Sequence, residues 1–122
     1  MKLGIILNTN IPETVFNALR LANTALGAGH SVNIFLLGPG VEIESIENKK
    51  FDVPDVLDKF TKGRGNLYAC GTCLKIRQQE GGACPVSTMS QLLEILTSSD
   101  KVLTFGYPHG LISCVDYVKV GR

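Results

Sequence analysis

Two runs, Leu3-Gly4-Ile5-Ile6-Leu7 and Ser31-Val32-Asn33-Ile34-Phe35-Leu36-Leu37, decide how this chain folds. The first is continuously apolar and suits a strand buried on both faces of a parallel sheet. The second reads as a strand closed by the breaker Gly38-Pro39-Gly40. Between them, Asn8-Thr9-Asn10 is a turn, and Asn10 with Glu13 resembles a capping box. Pro12 is tolerated in a first helical turn, and Val15, Leu19, Ala22 and Leu26 recur at helical spacing as far as Gly27 or Gly29. One β-α-β unit is therefore complete by residue 37.

The same alternation continues outward. Residues 41–53 are charged and weakly patterned, which reads as surface. Pro54 then precedes Asp55-Val56-Leu57-Asp58-Lys59-Phe60, a short helix with Val56, Leu57 and Phe60 inward, stopped by Gly63 and Gly65. Leu67-Tyr68-Ala69 is a short third strand that delivers Cys70 at its carboxyl end. Thr88 with Gln91 forms a second capping box, and Met89, Leu92, Leu93 and Leu96 mark one face of a helix ending around Ser98. Lys101-Val102-Leu103-Thr104-Phe105 is predicted as the fourth strand. This order predicts a single three-layer α/β domain, with a mostly parallel sheet, helices on both faces and right-handed crossovers. Ligands bind such sheets beyond the carboxyl ends of the strands. Asn8-Thr9-Asn10, Gly38-Pro39-Gly40, Cys70-Gly71 and Gly106-Tyr107 all stand there, so they are expected to share one rim.

Composition narrows the partners. A chain of 122 residues with 44% apolar and 19% charged residues is long and apolar enough for one domain with its own core. Twelve basic against eleven acidic side chains, spread along the chain, offer no electrostatic reason for a nucleic-acid or anionic-membrane partner. The opening run stops at Asn8, lacks a small-residue cleavage site and leads straight into patterned sequence, so it reads as a strand rather than a signal peptide. No apolar stretch approaches the roughly 20 residues that span a bilayer. The expected location is the cytoplasm, where thiols are kept reduced, so four cysteines point to catalytic, redox or metal chemistry rather than a disulfide framework.

Three of those cysteines lie in Cys70-Gly71-Thr72-Cys73-Leu74-Lys75-Ile76-Arg77 and its continuation to Cys84-Pro85. Several chemistries compete for them. Cys70 and Cys73 have the spacing of a dithiol redox pair standing after a strand and before a helix. A zinc or iron-sulfur site using Cys70, Cys73 and Cys84 lacks a fourth ligand at short spacing, because Cys114 and His109 are reached only by a long excursion. Plain burial suits Cys114 but fits a glycine-rich loop with three cysteines poorly. The remaining reading is a single nucleophilic or sulfur-carrying thiolate at Cys70. A helix beginning at Gly71 or Thr72 aims free N–H groups at its sulfur, Lys75 and Arg77 add positive charge, and all of these favour the thiolate. Lys75 and Arg77 read equally well as solvated helix residues. Gly71 allows a tight turn and leaves room above the sulfur. Elsewhere, Gly38-Pro39-Gly40 is a turn rather than a phosphate cradle. Asp52, Asp55 and Asp58 read as a solvated face, and neither His30 nor His109 is given a catalytic role.

The run Tyr68-Ala69-Cys70-Gly71-Thr72-Cys73-Leu74-Lys75-Ile76-Arg77, with Cys84-Pro85-Val86-Ser87-Thr88-Met89 and Asp100-Lys101-Val102-Leu103-Thr104-Phe105, resembles the DsrE/DsrF-like family, which includes sulfur-relay subunits of the Tus and Dsr type. The resemblance covers about residues 1–106. It implies a flavodoxin-like fold, a homo-oligomer (trimer or hexamer) or a hetero-oligomer with related subunits, and a cysteine that carries persulfide sulfur between donor and acceptor proteins without a metal or cofactor. Cys70 occupies the place of the family's sulfur-carrying cysteine, and Arg77 that of the arginine seven positions later. Cys73 matches a second cysteine found in some members, and a resolving role is one reading of it. Cys84 is a possible accessory thiol, and Gly71, Thr72, Lys75 and Arg77 are the expected thiolate-stabilising set. The family often has glycine after the arginine, where this chain has Gln78. Residues 107–122 match no family motif, and Val115 to Val120 is read as an edge strand or oligomer contact. Two other functions stay open at this point: a dithiol redox protein using Cys70 and Cys73, and a non-catalytic structural or regulatory oligomer of the same fold.

Overall fold

A computed structural model of the chain describes residues 1–77 and 86–106. In chain order it contains β1 (Lys2–Leu7), α1 (Pro12–Gly27), β2 (Ser31–Leu36), a 3-10 segment (Gly38–Ser45), α2 (Val53–Lys62), β3 (Asn66–Cys70), α3 (Gly71–Ile76), β4 (Val86–Ser87), α4 (Met89–Ser98) and β5 (Lys101–Phe105). The strands form one sheet in the order β4-β3-β2-β1-β5, and every pairing among the described residues is parallel.

Parallel register puts paired side chains on the same face. Ile5 stands between Ile34 and Leu103, and Ile6 between Phe35 and Thr104. Leu3, Ile5, Leu7, Val32, Ile34, Leu36, Leu67 and Ala69 therefore face one layer, where they join Val15, Leu19 and Ala22 of α1 and Val56, Leu57 and Phe60 of α2 in one buried cluster. α1 and α2 also touch through Asn23, whose Nδ2 donates to the Val56 carbonyl at 3.0 Å. The opposite face is covered by α4, whose Ile95 meets Phe35 and Cys70 in a second, smaller cluster.

Local chemistry explains several boundaries. Asp52 caps α2 by accepting the Asp55 N–H at 3.2 Å, while Asp55 and Asp58 pair with Lys59 and Lys62 one turn later. The three aspartates are thus a cap and a solvated face, as their spacing suggests. Thr88 caps α4 by accepting the Gln91 N–H at 3.4 Å.

Four sequence expectations are corrected. The expected Asn10 box does not cap α1; Ile11 is the N-cap without a side-chain bond, and Thr9 Oγ1 accepts the Ile11 N–H at 3.1 Å to shape the turn. Residues 41–53 are not simply surface, because Val41, Ile43, Ile46 and Val53 are buried in the larger cluster. A two-residue strand, β4, precedes α4, so the segment expected as the fourth strand is the fifth. The face of α4 marked by Met89, Leu93 and Leu96 points outward, and Ile95, with Leu92 partly buried, turns inward instead.

The inward side of α4 lies directly on Gly4. A Cβ built there meets Ser99 Oγ at 2.7 Å and Ile95 Cγ2 at 3.2 Å. Gly4→Val is expected to destabilise the fold by about 1–3 kcal/mol through overpacking, read as a lower midpoint in urea unfolding.

Candidate functional site

The predicted rim exists, and backbone hydrogen bonds assemble it. Beyond β1, the Asn8 N–H donates to the Phe105 carbonyl at 2.9 Å, and the Leu7 carbonyl accepts the Leu37 N–H at 3.1 Å. The loop after β2 folds over this point: a side chain on Gly40 would collide with the Leu7 carbonyl, and Gly38 holds φ +51°, a conformation that favours glycine. Gly106 is seated against Asn8 in the same way, with φ +85°. Tyr107 lies outside the described residues.

Cys70 ends β3 and is the N-cap of α3, paired in the sheet with Ser87. It is only 2% exposed, among Phe35 and Ile95 with Tyr68 and Leu92 beside them. Cys70 nevertheless lines a cavity of about 360 Å³ between the start of α3 and the β4–α4 turn. Gly71, Thr72 and Lys75 line the same cavity, facing Ser87 and Thr88 across it. The role of Gly71 is closeness rather than a left-handed turn. It is not among the positive-φ glycines, and a Cβ there would stand 3.0 Å from Val86 Cγ1.

The expected helix N–H groups do not reach Cys70, whose side chain caps no backbone donor of the six-residue α3. A backbone donor finds the other cysteine. Gly38 N–H donates to Cys73 Sγ at 3.3 Å, across 35 residues of sequence. Desolvation by burial pushes the Cys73 thiol above its ordinary value, and the Gly38 bond opposes this. A side-chain hydrogen bond to Cys70 and the charge of Cys70 push the same way as burial, while the Arg77 charge pulls down. Both thiols are free.

Arg77 faces an acid rather than a sulfur. Its Nε lies 3.5 Å from Glu42 Oε1 on the 3-10 segment, and Asn10 Nδ2 donates to the same oxygen at 3.4 Å. The structure therefore brings Cys70, Cys73, Gly71, Thr72, Lys75 and Arg77 to one rim, but splits them between a cavity side (Gly71, Thr72, Lys75) and a loop side (Arg77). Cys73, Gly38 and Glu42 belong to the loop side. Gly38 as a donor and Glu42 as the partner of Arg77 were missed by sequence reasoning, because no local pattern records contacts spanning 35 residues. Cys84, Cys114 and His109 lie outside the described residues. Among the described residues, no group of three or more His, Cys, Asp or Glu is arranged to hold a metal ion.

The model of one protein family, DsrE/DsrF-like, matches residues 1–105. The chain belongs to the DsrE/DsrF-like family. Two curated relatives are similar to it over most of their length. The uncharacterized protein MJ0989 of Methanocaldococcus jannaschii is 38% identical over 101 residues, covering 76% of this chain and 88% of its own length. The uncharacterized protein MK0008 of Methanopyrus kandleri is 32% identical over 100 residues, covering 76% and 83%. The fold is also that of a solved structure, the protein of unknown function MTH1491 from Methanobacterium thermoautotrophicum. It matches with a TM-score of 0.67 over 84% of this chain and 97% of that one, at 10% identity. The family match covers both cysteines of the rim and ends at residue 105.

The opposing influences on Cys73 give a pH test. Its alkylation by iodoacetamide, followed by peptide mass mapping, is expected to have a midpoint above that of an ordinary thiol. Arg77→Gln should move the midpoint further up, because a charge that favours the thiolate is lost. Cys70→Ala should move it down, because a hydrogen bond and a charge that oppose it are lost.

Proposed function

We propose that this protein is a sulfur carrier of the sulfur-relay type, in which Cys70 accepts sulfane sulfur as a persulfide and passes it to a partner protein. Membership of the DsrE/DsrF-like family supports the relay class. The observation that carries the assignment to Cys70 is its position at the carboxyl end of β3, buried yet lining an open cavity. In the loading step, Cys70 Sγ as thiolate attacks the outer sulfur of a donor persulfide. The donor S–S bond breaks, the donor leaves as thiolate, and the outer sulfur stays on Cys70 with its proton. The cavity exceeds the roughly 30 Å³ that one water occupies in the liquid, so a second sulfur fits without repacking.

In this reading Lys75, Thr72 and Gly71 line the approach to the sulfur, and their charge, hydroxyl and small size suit an anionic persulfide. Neither metal nor cofactor takes part. The partners are a sulfur-donor and a sulfur-acceptor protein, in the reducing cytoplasm, where Cys70 stays free to load. No helix among the described residues is long and apolar enough to cross a membrane. The reading includes assembly into a homo-oligomer, a trimer or hexamer, or with related subunits. Support for assembly comes from the outer face of α4, where Met89 is 55% and Leu93 60% exposed.

Two experiments test the proposal. After exposure to polysulfide and removal of excess, intact-protein mass spectrometry without reductant should show one added, reducible sulfur that maps to Cys70. Cys70→Ser should abolish it, and Cys73→Ser should keep it. Loading that ignores Cys70 overturns the carrier reading, and loss of two hydrogens dependent on both cysteines, with no sulfur gained beforehand and no sulfide released, would assign a dithiol redox protein instead. For assembly, Leu93→Glu should lower the oligomeric mass seen by light scattering while the circular-dichroism spectrum is retained. An unchanged mass removes the α4 face from the interface.

A further inference from the structure

Cys73 is held toward Cys70 by the local fold. Cys70 is the N-cap of α3 and Cys73 its third residue, the two positions whose groups face each other at the start of a helix. Cys73 packs against the apolar cluster that contains Cys70, and both thiols are free. Cys73 is the more accessible of the two, half-buried where Cys70 is buried. It is also the one with an external donor, the Gly38 N–H at 3.3 Å, and with the charge of Arg77 in reach. A thiol placed next to a sulfur-loading cysteine and given its own anion-stabilising donor has the equipment to attack that cysteine.

We propose that Cys73 is the resolving thiol of the site: it attacks Cys70 Sγ once that sulfur carries a persulfide, expels the outer sulfur as hydrosulfide and leaves a Cys70–Cys73 disulfide. The inference rests on the Cys70 carrier reading and adds a second exit for the sulfur. Cys73 first loses its proton to water, and the Gly38 N–H holds the resulting anion. The new bond joins Cys73 Sγ to Cys70 Sγ while the bond between Cys70 Sγ and the outer sulfur breaks. Cys73 sulfur is oxidised from thiol to disulfide, and the outer sulfur is reduced to sulfide, so no external oxidant enters. A cellular dithiol then reduces the disulfide and resets the site. Sulfur thus leaves by transfer when an acceptor is docked, and as sulfide when none is.

The geometry favours attack on the inner sulfur. Cys73 packs against the cluster that holds Cys70, whereas the cavity that would receive the outer sulfur is lined by Thr72 and Lys75 and not by Cys73. Neither Gly38 nor Glu42 lines that cavity. The proposal thus has Cys73 attack from the loop side, with the outer sulfur leaving into the cavity.

The test uses the full chain in a Cys84→Ser, Cys114→Ser background, repeated with both cysteines present. Protein loaded with limiting polysulfide is desalted and followed without reductant by sulfide assay and intact mass. The parent should release one sulfide per loaded chain and end lighter than the reduced chain by two hydrogens, with a peptide linking Cys70 to Cys73. Cys73→Ser and Cys73→Ala should both retain the added sulfur and release sulfide about tenfold more slowly or worse. Release by the parent should quicken as pH rises, and Arg77→Gln should slow it at neutral pH. Persulfide that is held equally long with and without Cys73 overturns the resolving role while leaving the carrier reading intact. Added sulfur that moves to Cys73 also overturns it. If Cys70 never loads in any variant, the carrier reading itself fails, and this inference fails with it.

Discussion

The site depends on the way backbone meets backbone at the carboxyl end of β1. That strand is bonded on both sides, so where it ends the neighbouring loops have to close over it without side chains in the way. The Leu7 carbonyl accepts from Leu37, and Gly40 comes so close to that carbonyl that a Cβ has no room. On the other side, Gly106 settles on Asn8 and the Asn8 N–H reaches Phe105. A left-handed residue other than glycine costs roughly 1–2 kcal/mol, and Gly38 would add a collision with the Asn8 side chain. These glycines therefore fix the loop after β2 in one place. That place sets both the Gly38 N–H on Cys73 and Glu42 on Arg77. The chemistry of the second cysteine is thus a consequence of how the central strand terminates.

The two thiols occupy different physical environments although three residues separate them. Cys70 belongs to the smaller apolar cluster with Phe35 and Ile95, and one side of it meets the cavity. Cys73 touches both apolar clusters and accepts a backbone N–H from Gly38. Their neighbours in charge differ as well. Lys75 is exposed on the cavity side with Cys70, and Arg77 on the loop side is engaged by Glu42 at 3.5 Å. Both members of that ion pair are about 30% exposed, and pairs in such surroundings contribute at most about 1 kcal/mol. Glu42 therefore tempers the charge Arg77 presents to Cys73 without fixing the arginine permanently.

Most of the fold was legible because its signals are local. The apolar run of β1, the inward triad Val56, Leu57 and Phe60 of α2, and the Thr88 cap of α4 each lie within one element, and each is found where the residues suggest. The failures have local explanations too. Asn10 has the residue type of a cap, but Pro12 starts the helix one residue too late for it, and its amide goes to Glu42. β4 is two residues long, shorter than any alternation can register. α4 is apolar on two stripes, so periodicity finds both and cannot rank them; contact with Gly4 decides that Ile95 turns inward. In the site, the cysteines and their cavity neighbours could be read from one stretch of sequence. The Gly38 donor and the Glu42 partner could not, since they arrive from β2 through folding.

On the proposed reading, the carrier sulfur sits in an apolar cluster rather than on the open surface. The arrangement makes sense when access is considered with reactivity. A loaded persulfide on an exposed thiol meets every small thiol in solution, whereas one on Cys70 would, among the described residues, be approached through the cavity bounded by α3 and the β4–α4 turn. Met89 lines that opening and is exposed, so on the proposed reading a docked partner would cover it on the way to the sulfur. The covering partner would exclude water, which strengthens the pull of Lys75 on an anionic sulfur at the moment of transfer. On the proposed reading, burial of the carrier thiol would couple sulfur transfer to docking, and Cys73, on the helix that Cys70 caps, would decide what happens in the absence of a partner.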